Sequence, residues 1–120
     1  NKALREWLRN ESREYLKNYV CELAKEMGVK CPERIRIGFQ KTIWGSYSSS
    51  GTISLCAHLL FLPPRLLRHV IVHELCHTVY MNHGKEFHKM LKTFDSQCEI
   101  NSADLKKGKR HLPEWLLLNY

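Results

Sequence analysis

The stretch Val70-Ile-Val-His73-Glu74-Leu-Cys-His77 decides the fold and the chemistry that we predict for this chain. Side chains four residues apart lie on one face of an α-helix, so the imidazoles of His73 and His77 can reach a single metal ion. Glu74, directly after the first histidine, can then face the open position of a tetrahedral Zn²⁺. The motif therefore predicts a helix that carries the core of a zinc hydrolase site.

The alternative is a helix that carries two histidines by chance. The surrounding residues argue against it, because they make the helix apolar on nearly every side, as expected for a buried central helix. These residues are Leu66, Leu67, Val70, Ile71, Val72, Leu75 and Val79. Two histidines and a glutamate in such a core would be costly without a metal or a polar cleft.

A catalytic zinc needs a third protein ligand, and the downstream candidates are His83, Glu86 and His88. On a straight helix His88 would lie roughly 16 Å beyond His77, too far to share the metal. We therefore expect the chain to reverse at Asn82-His83-Gly84, where Asn and Gly tolerate the left-handed conformation that ends a helix. This predicts His83 as the third ligand. His88 is then most simply a half-exposed helix residue. The alternatives are that it supports a ligand through a hydrogen bond, faces the substrate or, least expected, binds the metal itself.

Several further motifs occur in a fixed order with this one. They are Gln40-Lys-Thr-Ile-Trp-Gly-Ser-Tyr-Ser, Gly51-Thr-Ile-Ser-Leu, Phe61-Leu-Pro-Pro, Val70-Ile-Val-His-Glu-Leu-Cys-His and Asn82-His-Gly-Lys-Glu-Phe. Over residues 1–95 the chain closely resembles the catalytic half of the YgjP-like zinc metallopeptidases and, more distantly, the Wss-type and SprT-like proteases. From Cys98 onward the likeness is poor.

The resemblance implies His73, His77 and His83 as zinc ligands and Glu74 as general base, in agreement with the helix geometry. It also implies a zincin-like domain of the minimal gluzincin type, acting on peptide or protein substrates. Two positions depart from the family pattern. Tyr47 stands where a small residue or Cys is usual, and His88 where Trp is usual, so the substrate preference is open.

The periodicity of the chain predicts an α+β fold with a long N-terminal helix over residues 1–27, ended by Gly28. Alternation predicts a strand over 34–39 and another over 52–56, the second antiparallel to residues 41–44, which gives a small, mostly antiparallel sheet.

The central helix should begin at Pro63-Pro64, and a further helix should follow Gly84 and bring Phe87, Met90, Leu91 and Phe94 to the core. We expect a turn over 46–51, a charged surface segment over 101–109 and a short apolar element over 112–118.

Length and composition fit one compact domain over residues 1–120, with 43% hydrophobic residues. The sequence contains neither a long apolar run nor a signal-type segment, so we expect no membrane insertion. Because the first residue is Asn1 rather than Met, we expect flanking sequence outside this chain.

The cysteines indicate the compartment. They form an odd set without a C-x-x-C pair, which argues against a disulfide framework: Cys21, Cys31, Cys56, Cys76 and Cys98. A reducing cytoplasm is the simplest interpretation, or the nucleus in a eukaryote. Cys76 precedes a ligand, but its helix position turns it away from His77, so packing is its expected role.

An extended peptide substrate could add as a strand to the edge of the sheet, and the segment Trp44 to Tyr47 is the candidate edge. Trp44 is otherwise a core aromatic residue. Tyr47 is otherwise an ordinary turn residue, although a phenol near the zinc can also stabilise a tetrahedral intermediate.

The formal charge of +7 brings acidic partners into consideration. Lys106, Lys107, Lys109 and Arg110 form a local cluster that could meet phosphates, although scattered solvated charges explain most such surfaces. Two alternatives to a plain zinc peptidase therefore remain: a DNA-associated protease module, and a zinc-binding interaction domain without turnover. The oligomeric state is open.

Overall fold

The computed structural model describes residues 2–39 and 43–108. Their elements, in chain order, are α1 (Lys2–Met27), β1 (Arg34–Gly38), β2 (Gly45–Ser48), β3 (Thr52–Cys56), a 3-10 turn (Ala57–Phe61), α2 (Pro64–Cys76), α3 (Lys85–Phe94) and α4 (Cys98–Leu105). The α+β class is confirmed. The long first helix ends where predicted, because Gly28 has a φ of +73°, a conformation that favours glycine.

The three strands form a mixed sheet in the order β1-β3-β2. β3 pairs in parallel with β1 and antiparallel with β2, so the expectation of a mostly antiparallel sheet is wrong. The reason is topological: β2 runs antiparallel to β1 and lies two strand positions away from it, and the chain then turns back to place β3 in the gap between them. The antiparallel partner strand of β3 also lies later than predicted, at Gly45–Ser48 rather than 41–44, and overlaps the turn expected over 46–51. Of the predicted segment, Trp44 accepts a backbone hydrogen bond from Cys56 at the end of β3. Residues 40–42 lie outside the described residues.

α2 is the centre of the fold and contacts α1, α3, α4 and β2. It begins with Pro64 in its first turn, as predicted, because a missing backbone N–H costs nothing there. Because other elements surround it, this helix needs apolar residues on nearly every side. Leu66, Ile71, Val72 and Leu75 are fully buried.

The end of α2 differs from the sequence-based expectation. The helix ends at Cys76, and the backbone N–H groups of His77 and Thr78 bond to carbonyls three residues back, which tightens the last turn. Val79 is therefore outside the helix and exposed. Neither Asn82 nor Gly84 has a positive φ, so the reversal is made by an extended loop and not by a left-handed residue.

The helix after Gly84 is confirmed as α3, with Phe87 and Leu91 buried and Met90 and Phe94 packed against the core. α4 was not predicted, because it has no apolar stripe, and its buried residue is polar, Asn101. It occupies part of the segment that we expected to be only charged surface. Residues 109–120, including the apolar segment 112–118, lie outside the described residues.

Cys21 and Cys31 form a disulfide that ties the last turns of α1 to the loop before β1. The expectation that the cysteines are unpaired is therefore wrong for this pair, which lies too far apart in sequence for a C-x-x-C pattern to reveal it. Cys56, Cys76 and Cys98 do not take part in this disulfide. No helix within 2–39 or 43–108 is long and apolar enough to cross a membrane.

Candidate metal centre

Three histidines converge where α2 ends. His73 lies in the last turns of α2, His77 is the residue that caps it, and His83 comes from the loop before α3. One ring nitrogen from each lies within 4.8 Å of the others, the spacing of a shared metal site. No other group of three His, Cys, Asp or Glu side chains in the described part of the chain is arranged in this way.

The orientation of His77 is fixed by a hydrogen bond, because its Nδ1 lies 3.0 Å from the carbonyl oxygen of Tyr80. A carbonyl only accepts, so Nδ1 carries the proton and Nε2 has a free lone pair. That Nε2 lies 3.1 Å from Nε2 of His83. Two imidazole nitrogens facing one another at this distance fit a cation between them, since Zn–N bonds of about 2.0–2.1 Å in a tetrahedron place ligand nitrogens only slightly further apart. The donor set therefore fits zinc.

Electrostatics favour the neutral, ligand-competent form of His73. Burial, together with the neighbouring histidines His77 and His83, lowers the pKa of this imidazole to about 4. A neutral ring is the form that binds a metal.

Phe87 forms the floor of the histidine cluster. Its ring is fully buried, and its centroid lies 5.0, 4.6 and 4.9 Å from those of His73, His77 and His83. An apolar floor excludes water from below and limits the ring orientations, so α3 helps to preorganise the cluster.

Glu74 is buried but does not belong to the cluster of ligand atoms. It lines the cleft beside His73, and burial raises the pKa of its carboxyl group to about 7. A carboxylate with a pKa near neutrality can both accept and return a proton, which is the property of a general base. Burial also raises the pKa of the Cys76 thiol to about 12, so this side chain packs as a neutral group, consistent with its expected role.

The cleft in front of Glu74 has a volume of about 280 Å³. Its walls come from β2 with the residues before it, from α2 and from α4: Ile43, Trp44, Gly45, His69, Val70, His73, Glu74, Ser102 and Leu105. Packing explains why position 45 is a glycine. A Cβ there would lie 3.2–3.3 Å from Leu55, the Ser54 carbonyl and Val70. β2 can thus approach α2 closely only without a side chain at this position.

Of the three residues predicted to bind substrate, Trp44 lines the cleft, whereas Tyr47 and His88 do not. Trp44 lines the cleft and is half-buried, so it is neither a pure core residue nor a free rim residue. Tyr47 packs against the core from β2 and does not line the cleft, which leaves the oxyanion role without support. His88 is exposed on α3 and is not part of the histidine cluster.

His69 and Asp95 were missed by the sequence analysis. His69 lies in the wall of the cleft, one helical turn before His73, and its Nδ1 is 2.5 Å from an Asp95 carboxylate oxygen. The signal for His69 was its spacing, since residues 69, 73 and 77 share one helix face. No sequence signal pointed to Asp95, because it is brought there by the turn between α3 and α4.

The chain is similar both to a known family and to solved structures. A family model described as the YgjP-like metallopeptidase domain matches residues 1–108, further than the poor likeness beyond Cys98 suggested. The crystal structure of the metallopeptidase zymogen abylysin from Pyrococcus abyssi superposes with a TM-score of 0.56 and 26% identity, over 63% of this chain and 76% of that one. No curated protein matches the chain.

Proposed function

Because the chain belongs to the YgjP-like metallopeptidase family, we propose that it is a zinc-dependent peptidase that hydrolyses peptide bonds with Glu74 as general base. One observation carries the proposal. The imidazole nitrogens of His73, His77 and His83 converge to within 4.8 Å directly beside a buried carboxylate that lines a cleft.

We assign the three histidines as the ligands of the metal, each through one ring nitrogen. Zinc in a three-histidine site acts as a Lewis acid and lowers the pKa of a bound water to about 7. The hydrogen bond from His77 to the Tyr80 carbonyl keeps Nε2 directed at the metal position and strengthens it as a donor. The lowered pKa of His73 leaves its ring free of a competing proton at neutral pH.

Glu74 takes the proton of the attacking water and passes it to the leaving amine. Its burial supports this role, because a carboxyl group with a pKa of about 7 exchanges protons at neutral pH with little driving force in either direction. An exposed carboxylate would be a weaker base and would remain ionised throughout the cycle.

The substrate is a peptide or protein in extended conformation. β2 is an edge strand of the sheet, and the residues at its start, Trp44 and Gly45, line the cleft. A peptide that pairs with β2 would gain main-chain hydrogen bonds while its carbonyls pass in front of Glu74. Trp44 is then placed to contact a side chain of that peptide.

The two alternatives are weaker. A zinc-binding domain without turnover has no use for a buried carboxylate beside the ligands, since an unpaired buried acid costs stability. A DNA-associated protease would need a phosphate-binding surface, and Lys106 and Lys107 are exposed directly after Leu105, a residue of the cleft wall. Lys109 and Arg110 of that cluster lie outside the described residues.

A cleavage assay on a mixed-sequence peptide library tests the proposal. The zinc-loaded protein should cleave peptides, a chelator should abolish cleavage, and one equivalent of zinc should restore it. A protein that holds one zinc per chain and cleaves nothing in the library contradicts the proposal.

A further inference from the structure

His69 is a buried histidine in the cleft wall whose two ring nitrogens have different surroundings. The residue is 5% exposed, and Nδ1 lies 2.5 Å from Oδ2 of Asp95. Nε2 has no hydrogen-bond partner among residues 2–39 and 43–108, although the ring lines the cleft. Nδ1 is therefore engaged by Asp95, and Nε2 is available to a molecule that occupies the cleft.

Asp95 is held in place from several directions. Its backbone N–H bonds to the Leu91 carbonyl and ends α3, and its second oxygen accepts a hydrogen bond of 2.9 Å from Nδ2 of Asn101. Asn101 in turn accepts a 2.8 Å hydrogen bond from Arg65 at the start of α2. These hydrogen bonds fix the orientation of the carboxylate, and the carboxylate in turn fixes the orientation of the His69 ring.

The position of His69 relative to the proposed chemistry is set by α2. Its ring centroid is 6.4 Å from that of His73, and its nitrogen is not among the clustered ligand atoms. His69 thus lies one helical turn, about 6 Å along the axis, before the first proposed ligand, His73. A peptide unit attacked beside Glu74 would lie in the cleft that His69, His73 and Glu74 line together.

We propose that Nε2–H of His69 donates a hydrogen bond to the carbonyl oxygen of the scissile peptide unit, with Asp95 as the residue that positions the ring. The proposal rests on the proposed function, which it deepens by adding a group that stabilises the oxygen as it gains negative charge. His69 gives up no proton in this role.

The physical reason lies in the pairing with Asp95. The Asp95 carboxylate accepts a hydrogen bond from Nδ1–H, and the proposed role requires a second proton on Nε2, for which the carboxylate is the countercharge. Such a donor gains strength as charge develops on the substrate oxygen, and it needs no rearrangement because Asp95 already holds it. A pair that served only to link α2 to the end of α3 would use Nδ1 and leave Nε2 without a role.

Two substitutions at one position separate these roles. His69→Asn keeps a nitrogen near the place of Nδ1, so Asp95 retains a partner, but nothing remains at the place of Nε2. His69→Gln brings an amide nitrogen near the place of Nε2 and leaves Asp95 without that partner. We expect His69→Asn to lower kcat by about 10²-fold with KM and zinc content unchanged, the scale of one lost oxyanion donor.

His69→Gln should fold less stably but have a higher kcat per zinc-loaded chain than His69→Asn. A purely structural pair gives the opposite order, with His69→Asn as active as wild type, and that order would overturn the proposal. Asp95→Asn should lower kcat by about 10-fold without a change in KM, because the hydrogen bond survives and the countercharge does not.

Arg68→Met is the matched control. Arg68 also belongs to α2 and donates a hydrogen bond of 3.1 Å to the Phe94 carbonyl at the end of α3, outside the cleft. It should lower the melting temperature and leave kcat unchanged.

A phosphinic peptide, which mimics the tetrahedral geometry, gives a readout without turnover. It should bind wild type most tightly, His69→Gln next and His69→Asn about 10²-fold more weakly than wild type. If the zinc-loaded wild type cleaves no peptide, the proposed function fails, and this order of affinities alone decides the role of His69. Equal affinities, or no binding to wild type, would overturn it.

Discussion

His73 and Glu74 are neighbours in α2, and the same burial shifts their pKa values in opposite directions. The pKa of the imidazole falls to about 4, and the pKa of the carboxyl group rises to about 7. In both cases burial disfavours the charged form. Near pH 7 and before a metal binds, the imidazole is therefore neutral and the carboxyl group is close to half ionised, which suits a ligand that must be deprotonated and a base that must exchange protons.

This opposition gives a pH dependence for the metal-free protein. His73 binds fewer protons when folded than when unfolded between its lowered pKa of about 4 and its ordinary value of 6.5, so its contribution to stability rises with pH there. Glu74 binds more protons when folded between 4.5 and about 7, so its contribution falls over that range. The two contributions oppose each other in the overlap.

If the contribution of Glu74 is removed, the pH dependence that comes from His73 should become visible. Between pH 4.5 and 6.5 the melting temperature of metal-free Glu74→Gln should rise more steeply with pH than that of wild type. Thermal unfolding in a chelator at several pH values measures this. Parallel curves for the two proteins would show that the carboxyl group of Glu74 is not buried in the metal-free state.

The identity of the third ligand is tested by a pair of histidine substitutions. His83→Ala removes a nitrogen that lies 3.1 Å from that of His77, so zinc affinity should fall by more than the roughly 10- to 100-fold seen when only a supporting group is lost. His88→Ala, on the exposed side of α3, should retain one zinc per chain. Metal analysis after dialysis distinguishes the two, and the reverse result would make His88 the ligand.

The close approach of β2 to α2 predicts a difference between two glycines. Gly45→Ser places a Cβ 3.3 Å from the Ser54 carbonyl, a backbone atom that cannot move aside, and should cost about 1–3 kcal/mol of unfolding free energy. Gly84→Ser is the control, since no atom lies within 4 Å of a Cβ there and serine is favoured at the start of a helix. Urea unfolding of both metal-free variants measures the difference, and equal losses would contradict the packing argument.

The sequence was sufficient for the elements whose pattern is local. The spacing of His73, Glu74 and His77, the apolar run around them and the proline before α2 predicted the central helix and the metal centre. Strand order was not predictable, because the parallel pairing of β1 with β3 depends on which gap the chain fills. Asp95 was missed for the same reason, since its partner His69 is distant in sequence. The pairing of Cys21 with Cys31 likewise depends on how α1 ends.

The basic cluster gives a prediction about nucleic acid. If Lys106, Lys107, Lys109 and Arg110 contact phosphates, DNA binding should weaken steeply with salt, and neutralising all four should flatten the salt slope by up to about four units without affecting cleavage of a small peptide. Fluorescence anisotropy with labelled DNA at several salt concentrations measures this. If wild type shows no binding at physiological salt, the DNA-associated function is ruled out for this chain.

The most direct test of the central claim compares zinc-loaded wild type with Glu74→Gln in the peptide-library assay, with zinc content measured on the same samples. The variant should hold one zinc per chain, keep its fold, and cleave at least about 10²-fold more slowly, the scale of a general base. Loss of the metal would show that Glu74 is a ligand instead. Full activity in the variant would contradict the mechanism.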